Sequence, residues 1–307
     1  MGYGIMDFRK LELFAVVAEL GSLSKAAKAV GTAQSLVSRH IAQLEEEWRD
    51  RLFLRTGRGV VLTDFGRQVQ PEVQLLLDQA GRLQSAVQNA AGVQTGTVHI
   101  GLLPSLSRTL IAPLFRDMRQ RAPAVRLRFF EGFSGQLDEQ LQSGRLDVAV
   151  INRYGPSQNR DENILGYADS YLVGSPANRH SESGTIPFSA LADLPLALPG
   201  TPSGFRSVLD QHARQQAIKL EVALEIETLS AMKDVALSGA AYTILPLLAV
   251  REEVAEGRLI AQCIVEPSIR RTIALAITHQ RPLSRAGQVI VSRLRVLVSS
   301  LLKPNTR

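Results

Sequence analysis

The sequence predicts an α/β protein in three parts: a small N-terminal helical domain, one long linker helix, and a larger domain of two α/β lobes. Two short helical patterns surround a glycine in residues 22–45. Apolar residues then recur every three or four positions over residues 64–92, and from residue 97 strand-like and helix-like segments alternate to about residue 302. The 307 residues carry a formal net charge of +6, which suits a polyanionic partner without identifying it.

Residues 22–45 predict a helix-turn-helix. Ser22 or Ser24 can cap a first helix, and Gly31 stands where a left-handed turn residue is needed. The second helix turns its apolar residues inward and leaves Gln, Ser, Arg and His side chains on the other side. Such side chains contact base edges and phosphates in the DNA major groove. The candidates for base contacts are Gln34, Ser35, Ser38 and Arg39, and the further DNA-binding candidates are Ser22, Ser24, Lys25, Thr32, Ala33 and His40, of which Thr32 would hold a phosphate.

The charges around this motif are sorted by sign. Between Glu19 and Glu45 the chain has no acid, and its carboxylates cluster at Glu45, Glu46, Glu47 and Asp50, at the far end of the second helix. Two apolar runs then flank Arg-Thr-Gly-Arg-Gly, which is a hairpin pattern. Such a hairpin alone can be an ordinary surface turn, but directly after a helix-turn-helix it indicates a wing, so a winged helix-turn-helix is predicted for residues 1–65. The wing adds three DNA-binding candidates, with the two arginines on phosphates or in the minor groove: Arg55, Thr56 and Arg58.

These segments resemble the DNA-binding domain of the LysR-type transcriptional regulators. The resemblance is carried by DFRKLELFAVVAELGSLSKAA, AQSLVSRHIAQLEEE and RLFLRTGRGVVLTDFG, and the remainder follows the family's looser pattern. It implies a sequence-specific regulator that binds double-stranded promoter DNA as a homo-oligomer, often a tetramer of two dimers, with RNA polymerase as a possible further partner. One departure is visible, because Trp48-Arg49-Asp50 stands where the family usually has a Leu-Gly-Val type stretch. We therefore expect the second helix to end differently here.

Residues 64–92 predict a single long helix with an apolar seam. The spacing alternates between three and four residues, as in a coiled coil, and Pro71 interrupts its first part. The alternative is an amphipathic helix that packs on its own domain. A dimerisation helix is favoured because two-fold dimers recognise paired DNA half-sites. The candidate dimerisation residues are Val69, Val73, Leu76, Ala80, Leu83 and Val87.

The alternating pattern of residues 97–302 predicts mostly parallel sheets with helices on both faces. About 210 residues are enough for two small lobes, each with its own core. The family resemblance implies a periplasmic-binding-protein-like effector domain. Lobe I would span about 97–162 and 270–302, and lobe II about 166–266, with the chain crossing near 162–166 and 266–270.

A ligand site is predicted between these lobes. Ligands of open parallel sheets bind beyond the carboxyl ends of the strands, where helix N-termini converge. Small hydroxyl residues stand at three such places, and a polar pair follows the third strand. A small anionic or polar effector is expected, although each hydroxyl can instead cap its own helix. The candidate effector-binding residues are Ser105, Ser107, Phe133, Ser134, Asn152, Arg153, Thr201, Ser203 and Phe205.

Several classes of protein are excluded by what the sequence lacks. No catalytic constellation, phosphate-binding glycine loop or metal-ligand spacing is present, so we expect no enzyme, no catalytic residue, no metal and no cofactor. The single cysteine, Cys263, rules out an intramolecular disulfide. Without an export signal or a run of about 18 apolar residues, the protein is expected in the cytoplasm and away from membranes. A solute-binding transport component would leave the first 90 or so residues unused.

Overall fold

The computed structural model describes residues 7–57, 59–90, 96–154, 163–178 and 184–302. The chain forms two compact units, Met1–Gly92 and Val93–Arg307. Within the described residues, no helix is long and apolar enough to cross a membrane.

The first unit is built from helices and one hairpin. Its elements are α1 (Phe8–Leu20), α2 (Leu23–Ala29), α3 (Gln34–Trp48), β1 (Phe53–Thr56), β2 (Gly59–Leu62) and α4 (Asp64–Ala90). The two strands pair antiparallel, with Phe53 opposite Leu62. The predicted helix-turn-helix, hairpin and long helix are therefore all present.

Local chemistry explains where the two short helices begin and turn. Ser22 caps α2, because its Oγ accepts the backbone N–H of Lys25 at 3.3 Å. Gly31 has φ +67°, the left-handed conformation predicted for the turn between α2 and α3. Apolar residues of α1, α2 and α3, among them Phe14, Ala26 and Ile41, then pack into one core.

The end of α3 is the place where the chain departs from the family pattern. Arg49 follows the helix with φ 57° and ψ 26°, the left-handed conformation that glycine usually supplies. The N–H of Asp50 donates to the carbonyl of Glu45 at 3.2 Å and completes the cap. Arg49 therefore ends α3 in the conformation that a glycine would adopt, so the expected change at the end of this helix does not occur.

The second unit contains the remaining helices and strands. They are β3 (Gly96–Leu102), α5 (Pro104–Arg121), β4 (Val125–Glu131), α6 (Ser134–Gln142), β5 (Val148–Arg153), β6 (Asn163–Gly174), β7 (Thr185–Pro187), β8 (Pro195–Leu198), α7 (Gly204–Gln215), β9 (Glu221–Glu225), α8 (Leu229–Ser238), β10 (Tyr242–Pro246), α9 (Leu247–Ala255), β11 (Ile260–Val265), β12 (Arg270–Ile277) and α10 (Arg285–Leu302). Two short 3-10 helices lie at Pro176–Asn178 and Phe188–Asp193.

These strands form two lobes that share β6. Lobe I has the order β4-β3-β5-β12-β6, and lobe II continues as β6-β10-β8-β9, with β11 and β7 on the other side of β6. The strands β3, β4 and β5 are parallel, as are β8, β9 and β10, whereas β6 and β12 run antiparallel to their neighbours. Each lobe has its own apolar core.

The chain crosses between the lobes twice. The first crossing lies inside β6, because its residues up to Asp169 pair with β12 and those from Ser170 pair with β10 and β11. This crossing comes after the predicted range of 162–166. The second crossing follows the end of β11 at Val265 and precedes Arg270, within the predicted range of 266–270.

Candidate functional site

The outer face of α3 carries the predicted base-contacting residues. Gln34, Ser35 and Arg39 are exposed, and Ser38 is half-buried. The opposite face is fixed in the core by apolar side chains, of which Ile41 is 6% exposed. This burial holds the polar face of the helix toward solvent, as a helix that enters a major groove requires.

One hydrogen bond shapes the start of this surface. The Oγ of Ser24 donates to Oε1 of Gln34 at 2.7 Å, which joins α2 to the first residue of α3. Lys25 is exposed, and Thr32 is half-buried. Within the described part of the chain, Nδ1 of His40 is buried and has no hydrogen-bond partner. One side of the His40 ring therefore turns away from solvent.

The wing is held to α3 by a residue that the sequence analysis did not single out. Oε1 of Glu45 accepts the backbone N–H groups of Leu52 at 2.8 Å and Phe53 at 3.2 Å, at the start of β1. Arg55 and Thr56 are exposed on that strand, whereas Arg58 lies outside the described residues. The sequence does not predict this contact, because a cluster of acidic residues at a helix end is usually exposed to solvent.

The linker helix α4 divides into a packed part and an exposed part. Val73 is 6% exposed and lies in the core of the first unit, and Val69 and Leu76 pack against that core. Leu83 and Val87 are 69% and 66% exposed. The first half of the predicted dimer seam therefore packs on its own domain, as in the alternative interpretation, and Val73 is not available to a partner. The second half leaves large apolar side chains uncovered.

A cavity of about 690 Å³ lies between the two lobes of the second unit. Eight of the nine predicted effector-binding residues line it: Ser105, Phe133, Ser134, Asn152, Arg153, Thr201, Ser203 and Phe205. Ser107 does not. Its side chain is buried and hydrogen-bonds to the carboxylate of Glu131 and to the carbonyl of Pro104. The prediction for Ser107 is corrected, because the helical twist of α5 turns this residue away from the cavity.

The hydroxyl groups around the cavity have different roles. Ser203 caps α7, since its Oγ accepts the N–H of Arg206 at 3.4 Å. Ser134 instead accepts the N–H of Asn152 at 2.9 Å and so ties the start of α6 to the end of β5. No side chain caps α5, so Ser105 is not used for capping. The capping interpretation therefore holds for Ser203 and not for Ser105.

Two arginines line the cavity in different electrostatic states. Arg153 donates from both terminal nitrogens to the two carboxylate oxygens of Asp138, each at 2.7 Å, so its charge is balanced. Arg271 is 5% exposed, and its Nη2 donates to Oγ of Ser170 at 2.9 Å. Its guanidinium carbon lies 5.0 Å from the ring centre of Phe205. Among the described residues, no carboxylate pairs with Arg271 and its Nε has no hydrogen-bond partner.

Tyr154 completes this group. Its ring lies 5.5 Å from that of Phe205 and 5.9 Å from the guanidinium carbon of Arg271. Burial raises the pKa of Tyr154, while the charge of Arg271 and a hydrogen bond with Asn152 act in the opposite direction. The tyrosine is therefore a neutral hydroxyl at neutral pH.

Tyr154 and Arg271 were not predicted from the sequence, although one signal was available for the arginine. Side chains alternate along a strand, so one of the adjacent residues Arg270 and Arg271 had to face inward. Arg270 is the outer one, paired with Asp169 at 3.2 Å. Glu227 also lines the cavity and was missed, and its Oε1 accepts the N–H of Gly200 at 2.9 Å.

The described residues contain no candidate metal site, and burial disfavours the thiolate of Cys263. In the part of the chain that the structure describes, no group of three or more His, Cys, Asp or Glu side chains could hold a metal ion. Burial raises the pKa of the Cys263 thiol, with Asp169 adding to that effect, so the reactive thiolate is disfavoured.

Comparison with known families identifies both units. Residues 8–67 match the family described as bacterial regulatory helix-turn-helix protein, lysR family, and residues 91–297 match the LysR substrate binding domain. The chain belongs to the LysR family. It is a LysR-type transcriptional regulator with a DNA-binding domain and an effector-binding domain, and not an enzyme, as the sequence predicted.

Relatives of this LysR-type regulator match it over nearly its whole length. The nitrogen assimilation regulatory protein nac of Escherichia coli (strain K12) is 29% identical over 296 residues, covering 96% of each chain. The transcriptional regulator BbuR of Bordetella bronchiseptica is also 29% identical, over 95% of this chain and 91% of that protein.

Solved structures share the fold. The crystal structure of CbnR, a LysR family transcriptional regulator, has a TM-score of 0.69 at 20% identity and covers 95% of this chain and 99% of that one. A structure of full-length CbnR complexed with its target DNA has a TM-score of 0.68 at 20% identity, over 96% and 99% of the two chains.

Proposed function

We propose that this LysR-type regulator binds promoter half-sites as a homo-oligomer and that a small effector in the interlobe cavity alters its action on DNA. The observation that carries the DNA-binding part is the face of α3, where Gln34, Ser35 and Arg39 are exposed above a packed apolar face. The complex of the similar protein CbnR with its target DNA supports this role for the shared fold.

Each part of the DNA-binding surface has a separate task in this proposal. Gln34, Ser35, Ser38 and Arg39 contact base edges, because their polar groups can reach donors and acceptors in the major groove. Thr32 and the wing residues Arg55 and Arg58 hold phosphates, which position the domain without reading sequence. Lys25, exposed on α2, supplies a further positive charge for phosphates, and the remaining DNA-binding candidates are Ser22, Ser24, Ala33, His40 and Thr56.

Self-association is assigned to the exposed half of α4. Leu83 and Val87 are one helical turn apart, so they lie on the same face, and both are more than half exposed. Large apolar side chains repeated along one helix face mark a surface that a partner covers. A second copy of the chain would pair two winged helices for two half-sites, as a dimer or a tetramer. RNA polymerase is a further partner in this scheme, and the location is cytoplasmic because the DNA lies there.

The test is retention of sheared genomic DNA by the full-length protein at about 0.15 M salt, followed by sequencing of the retained fragments. Enrichment of a few intergenic fragments that share an interrupted inverted repeat is expected. Arg39→Ala should weaken that specific binding by about 1–3 kcal/mol. Arg9→Ala removes the same charge from α1 and serves as the matched control. Retention without enrichment that vanishes as salt rises would overturn the proposal.

A further inference from the structure

The interlobe cavity contains a buried cation whose charge is not balanced by a carboxylate among the described residues. Arg271 is 5% exposed, and it lines the cavity together with residues of both lobes. Arg153 in the same cavity is neutralised by Asp138 at 2.7 Å. Arg270, the next residue on β12, is exposed and paired with Asp169. Arg271 is thus distinguished from both neighbouring arginines by its lack of an anionic partner.

Aromatic rings compensate for part of the charge of Arg271. The guanidinium carbon lies 5.0 Å from the ring centre of Phe205 and 5.9 Å from that of Tyr154, so the two rings supply cation–π contacts. Ser170 takes one of the five N–H donors that a guanidinium carries. Burial of an unpaired charge is costly, and a planar guanidinium edge matches a carboxylate with two parallel hydrogen bonds. The site is therefore built to take an anion.

Apolar side chains make up much of the rest of the cavity lining, beside hydroxyl groups and the carboxylates of Asp138 and Glu227. A volume of about 690 Å³ is in the range of small-molecule sites. An anion that is only a compact, hydrated ion would leave these surfaces uncovered. Besides the two rings, the apolar lining includes Leu103, Pro199, Val208, Met232, Ile244 and Leu245.

We infer that Arg271 is the anion-binding residue of this cavity and that the effector is an organic acid, a carboxylate on a compact apolar body. The inference rests on the proposed role of the cavity in binding an effector. Arg153 has a positioning role in this site, since its ion pair with Asp138 holds α6 to the end of β5.

Arg271 lies at the junction of the two lobes. Arg271 is the second residue of β12, directly after the second crossing, and its bond to Ser170 reaches the first crossing in β6. A carboxylate on Arg271 therefore binds where both crossing segments meet.

The test uses the full-length protein and matched pairs of probes in ligand-observed NMR titrations. Benzoate and hexanoate supply a carboxylate on an apolar body, benzamide and hexanamide replace the charge at nearly constant shape, and acetate lacks the apolar body. At least one of the two acids should bind at concentrations up to about 10 mM, about tenfold more tightly than its amide and than acetate. Equal binding of acid and amide, or no binding of either acid, would overturn the inference.

Three variants assign the effect to one residue. Arg271→Gln should remove the preference for acid over amide, whereas Arg270→Gln, which removes the same charge one residue away, should keep it. Arg271→Lys, which keeps the charge but loses the planar edge, should reduce the preference to an intermediate value and provides a second variant if the glutamine form does not fold. A preference for acid that survives in the folded Arg271→Gln protein refutes the assignment. Retention of genomic DNA without any acid is measured separately, so a failure of the regulator proposal is recognised independently.

Discussion

Replacing Arg49 by glycine is expected to stabilise the DNA-binding unit. Arg49 has φ 57° and ψ 26°, and an L-residue in this left-handed conformation costs about 1–2 kcal/mol relative to glycine. Relief of this strain is offset by about 0.5–1 kcal/mol, because glycine makes the unfolded chain more flexible. The Arg49 side chain is exposed, so few contacts are lost. The net stabilisation should be about 0.5–1 kcal/mol.

The single tryptophan of the chain provides the assay. Trp48 precedes Arg49, and its ring contacts Phe14 and Phe65 edge-on at centroid distances of 6.3 and 6.2 Å. Its fluorescence therefore reports unfolding of the first unit and not of the effector domain. With a urea dependence of about 1.5 kcal/mol per molar, the midpoint should rise by about 0.3–0.7 M.

The control is Arg49→Ala, which removes the same side chain but keeps a Cβ in the left-handed conformation. Its midpoint should stay within about 0.2 M of the parent protein. A gain from alanine equal to that from glycine would mean that the arginine side chain, and not the backbone conformation, destabilises the parent. A lower midpoint for the glycine variant would refute the argument from strain.

Three further predictions follow from contacts in the two units. Glu45→Ala should lower the free energy of unfolding of the first unit by about 2–4 kcal/mol and weaken DNA retention, because two N–H groups at the start of β1 lose a charged acceptor. Glu45→Gln keeps one side-chain oxygen as an acceptor, so its free energy of unfolding should fall by less. The pair Leu83→Asp and Val87→Asp should dissociate the oligomer in sedimentation, and an unchanged mass would contradict self-association through α4. Burial acts to raise the pKa of Glu253, but hydrogen bonding and charge from Lys233 outweigh it and the pKa lies below its ordinary value. This stabilisation is present above the unfolded pKa of about 4.3 and is lost as pH falls through the folded pKa. In Glu253→Gln, the free energy of unfolding of the effector domain should therefore fall less steeply as the pH is lowered. An equally steep fall would contradict the ion pair.

The elements of the first unit could be predicted because each depends on residues close in sequence. The turn at Gly31 requires a left-handed residue between two helical patterns, and the observed φ of +67° confirms it. The hairpin follows from two apolar runs and the glycines between them. The helix end at Arg49 was not predictable in the same way, because a residue that disfavours a conformation can still be held in it by its surroundings.

The linker helix shows what periodicity leaves open. A spacing of three and four residues places apolar side chains on one face, but it does not say which surface covers that face. Val73 and Leu83 belong to the same predicted seam, yet one is 6% exposed and the other 69%. The core of the first unit covers α4 at Val73 and does not extend to Leu83. Only the folded structure shows where that core ends.

Charge in the effector cavity illustrates why site chemistry depends on tertiary contacts. Arg153 was predicted as a site residue because it follows a strand. It does line the cavity, but Asp138 on the preceding helix cancels its charge. Arg271 lies within a strand, and its hydrogen-bond partner Ser170 is 101 residues away in the chain. Pairing across such distances decides which cation is available to a ligand, and residue type alone cannot reveal it. The preference of the cavity for an organic acid therefore depends on the arginine that has no carboxylate beside it, and this residue sits where the chain crosses between the lobes.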